Sequence, residues 1–79
     1  MSAAVVPELV SLGRAIVAAR REVGLSQEAL ALAAGLDRSY VGGVERGQRN
    51  VSYLNMLKLA AAIGTPLALI VAAASGVGD

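Results

Sequence analysis

Glycines at short intervals restrict this chain to short helices. They divide residues 7–74 into five stretches, and the breaks fall at Gly24, Gly35, Gly47 and Gly64. Glycine commonly ends a helix because it accepts the left-handed backbone conformation that a C-terminal cap requires. Within the stretches apolar residues recur at helical spacing, and no segment shows the two-residue alternation of a half-buried strand. The pattern therefore predicts an all-α fold.

A helix-starting signal stands at the head of each stretch. The five signals are Pro7, Ser26, Asp37, Ser52 and the pair Thr65-Pro66. Serine and aspartate accept hydrogen bonds from the free backbone amides of a first turn, and proline suits the first helical position. We therefore expect a single domain over residues 1–79, with five helices around one core and frayed ends at 1–6 and 75–79.

The composition argues against catalysis. The 79 residues include no histidine and no cysteine, and the six acidic residues are scattered along the chain. Most acid–base, nucleophilic and metal chemistry uses one of these groups. We expect no enzyme activity, no cofactor, no metal and no small-molecule ligand. The N-terminus does not have the pattern of a signal peptide, and the apolar stretch 60–74 is broken and too short to span a membrane, which favours a cytoplasmic protein.

Residues 26–46 have the pattern of a helix-turn-helix. Such a motif needs a small residue where its helices cross, a residue at the turn that tolerates left-handed geometry, and apolar residues that hold the second helix down. Ala31, Gly35, Val41 and Val44 meet these needs in that order. The polar face of the second helix is then free to enter a DNA major groove. The formal net charge of +1 is too small to indicate nucleic-acid binding by itself.

The chain resembles the Xre/Cro/phage-repressor family of helix-turn-helix regulators. The resemblance runs from about Leu9 to Val71 and is carried by three segments, 25–31 (LSQEALA), 35–41 (GLDRSYV) and 44–47 (VERG). It implies a compact five-helix lambda-repressor-like DNA-binding domain. With nothing appended, the chain is similar to controller proteins of restriction–modification systems, to small phage repressors and to some antitoxins.

The resemblance also implies roles for individual residues. Arg38 and Ser39 are expected to reach base edges, and arginine pairs with the N7 and O6 acceptors of guanine. Tyr40 is expected either to contact a phosphate or thymine methyl, or to pack at the edge of the first helix. Arg20 and Glu45 are expected to form a structural ion pair. Phosphate contacts are expected from the residue that begins the second helix and from the basic turn and helix start that follow the third: Gln27, Arg46, Arg49, Asn50, Ser52 and Tyr53.

Gly43 departs from the family pattern, which commonly places a base-reading polar side chain there. Gly42 beside it is a second helix-weakening residue, and each costs about 1 kcal/mol relative to alanine. Two explanations stay open. Either the bare helix backbone approaches the DNA closely, or few bases are read here and specificity depends on DNA shape.

The last predicted helix is apolar on nearly every side. A surface helix normally shows a polar face, and an exposed apolar face usually marks an interface. We expect homodimerisation through Leu67, Leu69, Ile70 and Val71; the alternative is an unusually apolar packed core.

Together these features predict a sequence-specific transcriptional regulator that binds double-stranded DNA as a homodimer on a palindrome-like operator. The alternative is an antitoxin-type module that binds a partner protein and also controls its own expression. The sequence indicates neither the operator nor whether the protein activates or represses.

Overall fold

The computed structural model describes residues 5–76, which form five helices and no strand. They are α1 (Pro7–Glu22), α2 (Gln27–Ala34), α3 (Arg38–Glu45), α4 (Tyr53–Ile63) and α5 (Leu67–Ser75). This confirms the predicted all-α class. The expected frayed ends fall mostly outside the described residues, at 1–4 and 77–79, whereas Ser75 belongs to α5.

The helix boundaries follow the capping signals. The hydroxyls of Ser26 and Ser52 accept hydrogen bonds from the third backbone amide after them, at 3.0 and 3.1 Å. The Asp37 carboxylate accepts one from the Ser39 amide at 2.8 Å. Such bonds satisfy amides that have no partner within the helix. Pro66 differs from expectation: it is the residue before α5 and not its first helical residue, because its ψ of 135° is extended.

One hydrophobic core joins all five helices. Its largest fully buried side chains include Ile16, Leu30, Val41, Val44 and Leu59. Helix α1 packs against α3 and α5, and α2 packs against α3 and α4. Residues from α4 and α5, including Met56, Ile63 and Ile70, complete the core. The arrangement encloses the inner faces of α2 and α3 and leaves the first turn of α3, with Arg38 and Ser39, exposed.

Among the described residues no single helix is long and apolar enough to cross a membrane. Helices α4 and α5 reach the required length and composition only as a pair, and they are bent by 105° relative to one another.

Candidate nucleic-acid interface

The turn between α2 and α3 fixes the position of α3. Gly35 ends α2 with a φ of 68°, in the left-handed region, and the Leu36 amide donates to the Ala31 carbonyl at 2.9 Å. Val41 and Val44 then hold α3 against the core, where they are 0% and 2% exposed. The first turn of α3, Arg38 and Ser39, is exposed, as base reading by a helix in a DNA groove requires.

A buried ion pair ties α1 to the end of α3. Arg20 Nε and Nη2 donate to the two Glu45 carboxylate oxygens at 2.7 and 3.0 Å, and the two side chains are 11% and 4% exposed. The hydrogen bond to Glu45 raises the pKa of Arg20, against the effect of burial. The remaining Arg20 nitrogen, Nη1, donates to the Leu25 carbonyl at 2.9 Å. This two-pronged geometry is the strong form of an arginine–carboxylate contact.

Gln27 joins this pair instead of lying free in solvent. Its Nε2 donates to Glu45 Oε1 at 2.9 Å, so the first residue of α2 is linked to the last residue of α3. The contact braces the two helices of the motif against each other. The predicted phosphate contact of Gln27 stays a prediction.

Two glycines let α1 approach the C-terminal end of α3 closely. A Cβ atom on Gly13 would clash with the Glu45 carbonyl oxygen and would lie 2.6 Å from the Val44 carbonyl oxygen. A Cβ on Gly47, whose φ is 74°, would lie 2.7 Å from Val10 Cα. Sequence reasoning missed the role of Gly13. A glycine inside an otherwise strong helical pattern is unfavourable, and it therefore indicates a close contact at that position.

The first turn of α3 presents Arg38 and Ser39 to solvent. The Arg38 side chain is 62% exposed, and its Nε lies 3.6 Å from Glu28 Oε1. Ser39 Oγ donates to Asp37 Oδ1 at 2.6 Å. That bond and the bond from the Ser39 amide lower the pKa of Asp37. The loose, exposed contact with Glu28 leaves Arg38 available for another partner.

The side chain of Tyr40 extends from α3 to α4. Its side chain is half-buried against the core, and its hydroxyl accepts a hydrogen bond from Asn55 Nδ2 at 3.1 Å. The Arg49 guanidinium carbon lies 5.9 Å from the centre of the Tyr40 ring. The hydrogen bond from Asn55 holds the Tyr40 hydroxyl at α4, and both expected roles of Tyr40, a DNA contact and packing at the edge of α1, stay predictions. Sequence reasoning also missed Asn55, which no motif distinguished.

The two glycines of α3, Gly42 and Gly43, are buried. They are covered by side chains from elsewhere in the motif. A Cβ on Gly42 would lie 3.1 Å from Arg46 Nη1 and 3.4 Å from Gln27 Oε1, and one on Gly43 would lie 2.6 Å from Arg49 Cγ. Long basic side chains thus fill the space that side chains at 42 and 43 would occupy.

The basic turn after α3 is exposed, as expected. Arg46, Arg49 and Asn50 are all exposed, and Arg46 Nε donates to Gln48 Oε1 at 3.0 Å. Ser52 caps α4 at the end of this turn. Tyr53 is 69% exposed and contributes to a shallow groove between α4 and α5.

The structure separates the four residues of α5 that were predicted to form an interface. Ile70 is 2% exposed and belongs to the core, so its assignment to an exposed face was wrong. Leu67 is half-buried, whereas Leu69 and Val71 are 61% and 49% exposed. The groove between α4 and α5 is mostly apolar and is lined by Tyr53, Leu57, Leu67, Ala68, Val71, Ala72 and Ser75.

Comparisons with known proteins agree with this geometry. A family model described as helix-turn-helix, HTH_3, matches residues 16–70. Control protein C.MunI of Mycoplasma sp is 42% identical over 48 residues, which cover 61% of this chain and 65% of the relative. Control protein C.SmaI of Serratia marcescens is 51% identical over 41 residues, which cover 52% and 49%. The chain thus spans less than two thirds of the length of either relative.

A solved structure matches over more of its length. The restriction–modification controller protein C.AhdI from Aeromonas hydrophila superimposes with a TM-score of 0.81 and 54% sequence identity. The match covers 82% of this chain and 98% of the C.AhdI chain.

Proposed function

The chain belongs to the helix-turn-helix family, and on that premise we propose that it is a DNA-binding transcriptional regulator of the restriction–modification control type. It acts as a homodimer on a palindrome-like operator. The similarity to C.AhdI and to the two control proteins supports the regulatory class. This role places the protein in the cytoplasm, together with the DNA that it binds.

One observation carries the proposal. Helix α3 is held by the core and by the Arg20–Glu45 pair, while its first turn and the turn that follows it expose three arginines. These are Arg38, Arg46 and Arg49, of seven basic residues in the chain. A rigid helix with basic side chains around it is the arrangement that major-groove recognition uses.

The DNA contacts divide by position. Arg38 and Ser39, in the first turn of α3, contact base edges, and Arg38 pairs with guanine. Phosphates are contacted, through side chains and backbone amides, by residues of the turn and of the start of α4: Arg46, Arg49, Asn50 and Ser52. Gln27 supports α3 and contacts a phosphate at the start of α2.

The second copy docks on the apolar groove between α4 and α5. Helix α5 has no charged residue between Leu67 and Ser75, and only Ile70 of that helix is fully buried. Exposed apolar surface of this kind usually marks a protein interface. Because Tyr53 lines the groove, we assign its side chain to this interface instead of to a phosphate. A symmetric dimer places two α3 helices about one DNA turn, ~34 Å, apart.

Binding to random duplex pools tests the regulator. The purified chain is mixed with random duplexes across a salt series, and the retained DNA is sequenced. We expect a two-fold symmetric site, with affinity that falls about a thousandfold or more between 50 and 200 mM salt if about six phosphates are contacted. Retention of no particular sequence would reject the regulator and favour a protein-interaction module of the antitoxin type.

Sedimentation equilibrium tests the dimer. Val71→Lys places a charge in the groove and should give monomers with an unchanged helical spectrum. Leu32→Lys is the matched control, since Leu32 lies on α2, is 85% exposed and does not line the groove. Ile70 is unsuitable as a test because a charge there would unfold the core. A Val71→Lys variant that remains dimeric would move the interface elsewhere.

A further inference from the structure

Asn55 joins the first turns of α3 and α4. It is the third residue of α4, and its Nδ2 donates a hydrogen bond to the hydroxyl of Tyr40, the third residue of α3, at 3.1 Å. Helix α3 packs mainly against α1 and α2, and α4 packs mainly against α2 and α5. Among the described residues, this bond is the side-chain hydrogen bond that links α3 to α4. Asn55 therefore fixes the outer end of the Tyr40 side chain.

Asn55 is itself held in place. Its backbone amide donates to the Ser52 hydroxyl at 3.1 Å, and the residue is half-buried. Asparagine is a weak helix former because its short polar side chain competes for backbone hydrogen bonds. Here the side chain bonds a residue of another helix instead. This tertiary contact gives an asparagine in the first turn of α4 a role beyond that helix.

The direction of the bond determines what the Tyr40 hydroxyl can still do. A phenol hydroxyl carries one proton to donate, and its oxygen can also accept a hydrogen bond. Because Asn55 donates, the Tyr40 oxygen is the acceptor and its own proton is left for another partner. Within residues 5–76 that hydroxyl makes no other hydrogen bond. The hydroxyl is thus presented as a donor.

This donor lies where DNA is expected. Tyr40 directly follows Arg38 and Ser39, and the guanidinium carbon of Arg49 lies 5.9 Å from the centre of its ring. The acceptors that DNA offers there are phosphate oxygens and, in the major groove, guanine N7 and O6, adenine N7 and thymine O4. The amino groups of adenine and cytosine are donors. A hydroxyl that can only donate therefore matches the first group and not the second.

We propose that Asn55 is a positioning residue for DNA recognition, which holds the Tyr40 hydroxyl so that its proton is directed to a hydrogen-bond acceptor of the DNA. This inference rests on the proposed DNA-binding function and adds to it a residue that does not touch the DNA. The acceptor belongs either to a phosphate or to a base edge. Affinities for a selected and for a random duplex distinguish these two sources, because only a base contact depends on sequence.

A double-mutant cycle between Asn55 and Tyr40 tests the inference. Binding is measured for Tyr40→Phe, Asn55→Ala and the double variant, on a duplex selected by the wild-type chain and on a random duplex of equal length. Tyr40→Phe should lose about two- to tenfold in affinity, as expected for one hydrogen bond. Asn55→Ala should lose affinity in the same direction. The double variant should bind like Tyr40→Phe alone, since Asn55 acts only through the hydroxyl.

Asn55→Asp reverses the direction of the bond. A carboxylate cannot donate, so it accepts the Tyr40 proton and withdraws that proton from DNA. A negative charge in the first turn of a helix is favourable, and circular dichroism should show that the variant folds. Leu54→Asp is the matched control, because it adds the same charge at the neighbouring residue, which is 68% exposed. Asn55→Asp should bind at least about twofold more weakly than Leu54→Asp, and this difference should vanish when Tyr40→Phe is added to both.

A measurement on the free protein checks the contact without DNA. The resonances of the Asn55 side-chain amide should shift in Tyr40→Phe, because the acceptor of its hydrogen bond is removed. Tyr53→Phe is the control, since Tyr53 is the other of the two tyrosines in the chain and its hydroxyl makes no bond to Asn55. Asn55 resonances that do not respond to Tyr40→Phe would overturn the positioning argument.

The outcomes separate this inference from the proposed function. A loss for Tyr40→Phe on the selected duplex alone supports the inference with a base acceptor, and an equal loss on both duplexes supports it with a phosphate. If wild type binds its selected duplex but Tyr40→Phe binds equally well, the inference alone fails. It also fails if Asn55→Ala loses the same factor with and without the Tyr40 hydroxyl, because Asn55 then acts by another route. If wild type selects no duplex, the proposed function fails as well.

Discussion

Replacing Arg20 by methionine should remove a large part of the folding free energy of this domain. Methionine keeps the apolar stem of the side chain but removes three hydrogen bonds, two to Glu45 and one to the Leu25 carbonyl. The Glu45 side chain, 4% exposed, would then retain only the bond from Gln27. The variant therefore holds a buried carboxylate without its cation.

The magnitude follows from that uncompensated charge. Breaking a buried ion pair by removing one partner costs about 3–5 kcal/mol. A domain of 79 residues is expected to have about 4–12 kcal/mol of stability in total. For this size each kcal/mol lowers the melting temperature by about 4–8 °C, so Arg20→Met should melt at least about 12 °C below wild type. Urea unfolding followed by circular dichroism measures the free energy directly.

Two further variants make this prediction specific. Arg21→Met changes the neighbouring, exposed arginine of the same helix and should change stability by less than about 0.5 kcal/mol. Adding Glu45→Gln to Arg20→Met neutralises the stranded carboxylate and should recover part of the loss. Equal stability of the Arg20 and Arg21 variants would refute the reasoning, as would a double variant that is less stable than Arg20→Met alone.

Three other changes test separate parts of the account. Gly13→Ala should lower the free energy of unfolding by about 1–3 kcal/mol, because its methyl meets backbone carbonyl oxygens at the end of α3. An unchanged midpoint of urea unfolding would mean that α1 shifts freely to accommodate the methyl group. Arg38→Ala should weaken binding to a selected duplex by about 1–3 kcal/mol more than to a random one, whereas Arg14→Ala on α1 should affect neither; equal losses for Arg38→Ala would make it a phosphate contact. Since hydrogen bonds from Ser39 lower the pKa of Asp37, the charged cap stabilises the fold above the ordinary value of 3.8 and loses this effect as pH falls through the lowered pKa. Asp37→Asn keeps a cap that does not titrate, so its melting temperature should fall less steeply than that of wild type below pH 3.8. Parallel curves of melting temperature against pH for the two proteins would contradict this.

Local signals predicted the fold because capping is a local interaction. Ser26, Asp37 and Ser52 each bond an amide two or three residues away, so their effect can be inferred without knowledge of tertiary structure. The N-terminal limits of α2, α3 and α4 follow from them. Pro66 was misplaced by one residue because proline is compatible both with the first helical position and with the extended residue before it.

Tertiary packing decided what the sequence left open. Every residue of α5 from Leu67 to Ala74 is apolar, so its pattern does not distinguish the buried Ile70 from the exposed Leu69. The glycines at 42 and 43 indicate only a missing side chain. The side chains that cover these glycines are Gln27, Arg46 and Arg49. Their position depends on how the start of α2 and the turn after α3 pack against α3, which the sequence pattern does not show.

Dimethyl sulfate protection of guanines in a selected duplex tests whether a dimer reads DNA through α3, because this reagent methylates guanine N7 in the major groove. This mode of binding predicts protected guanines in two major-groove segments about one helical turn apart, with two chains bound per duplex. It also predicts that Arg38→Ala removes protection symmetrically from both segments. Protection of a single segment, or of no guanine N7 on a duplex that is bound specifically, would contradict a dimer that reads DNA through α3.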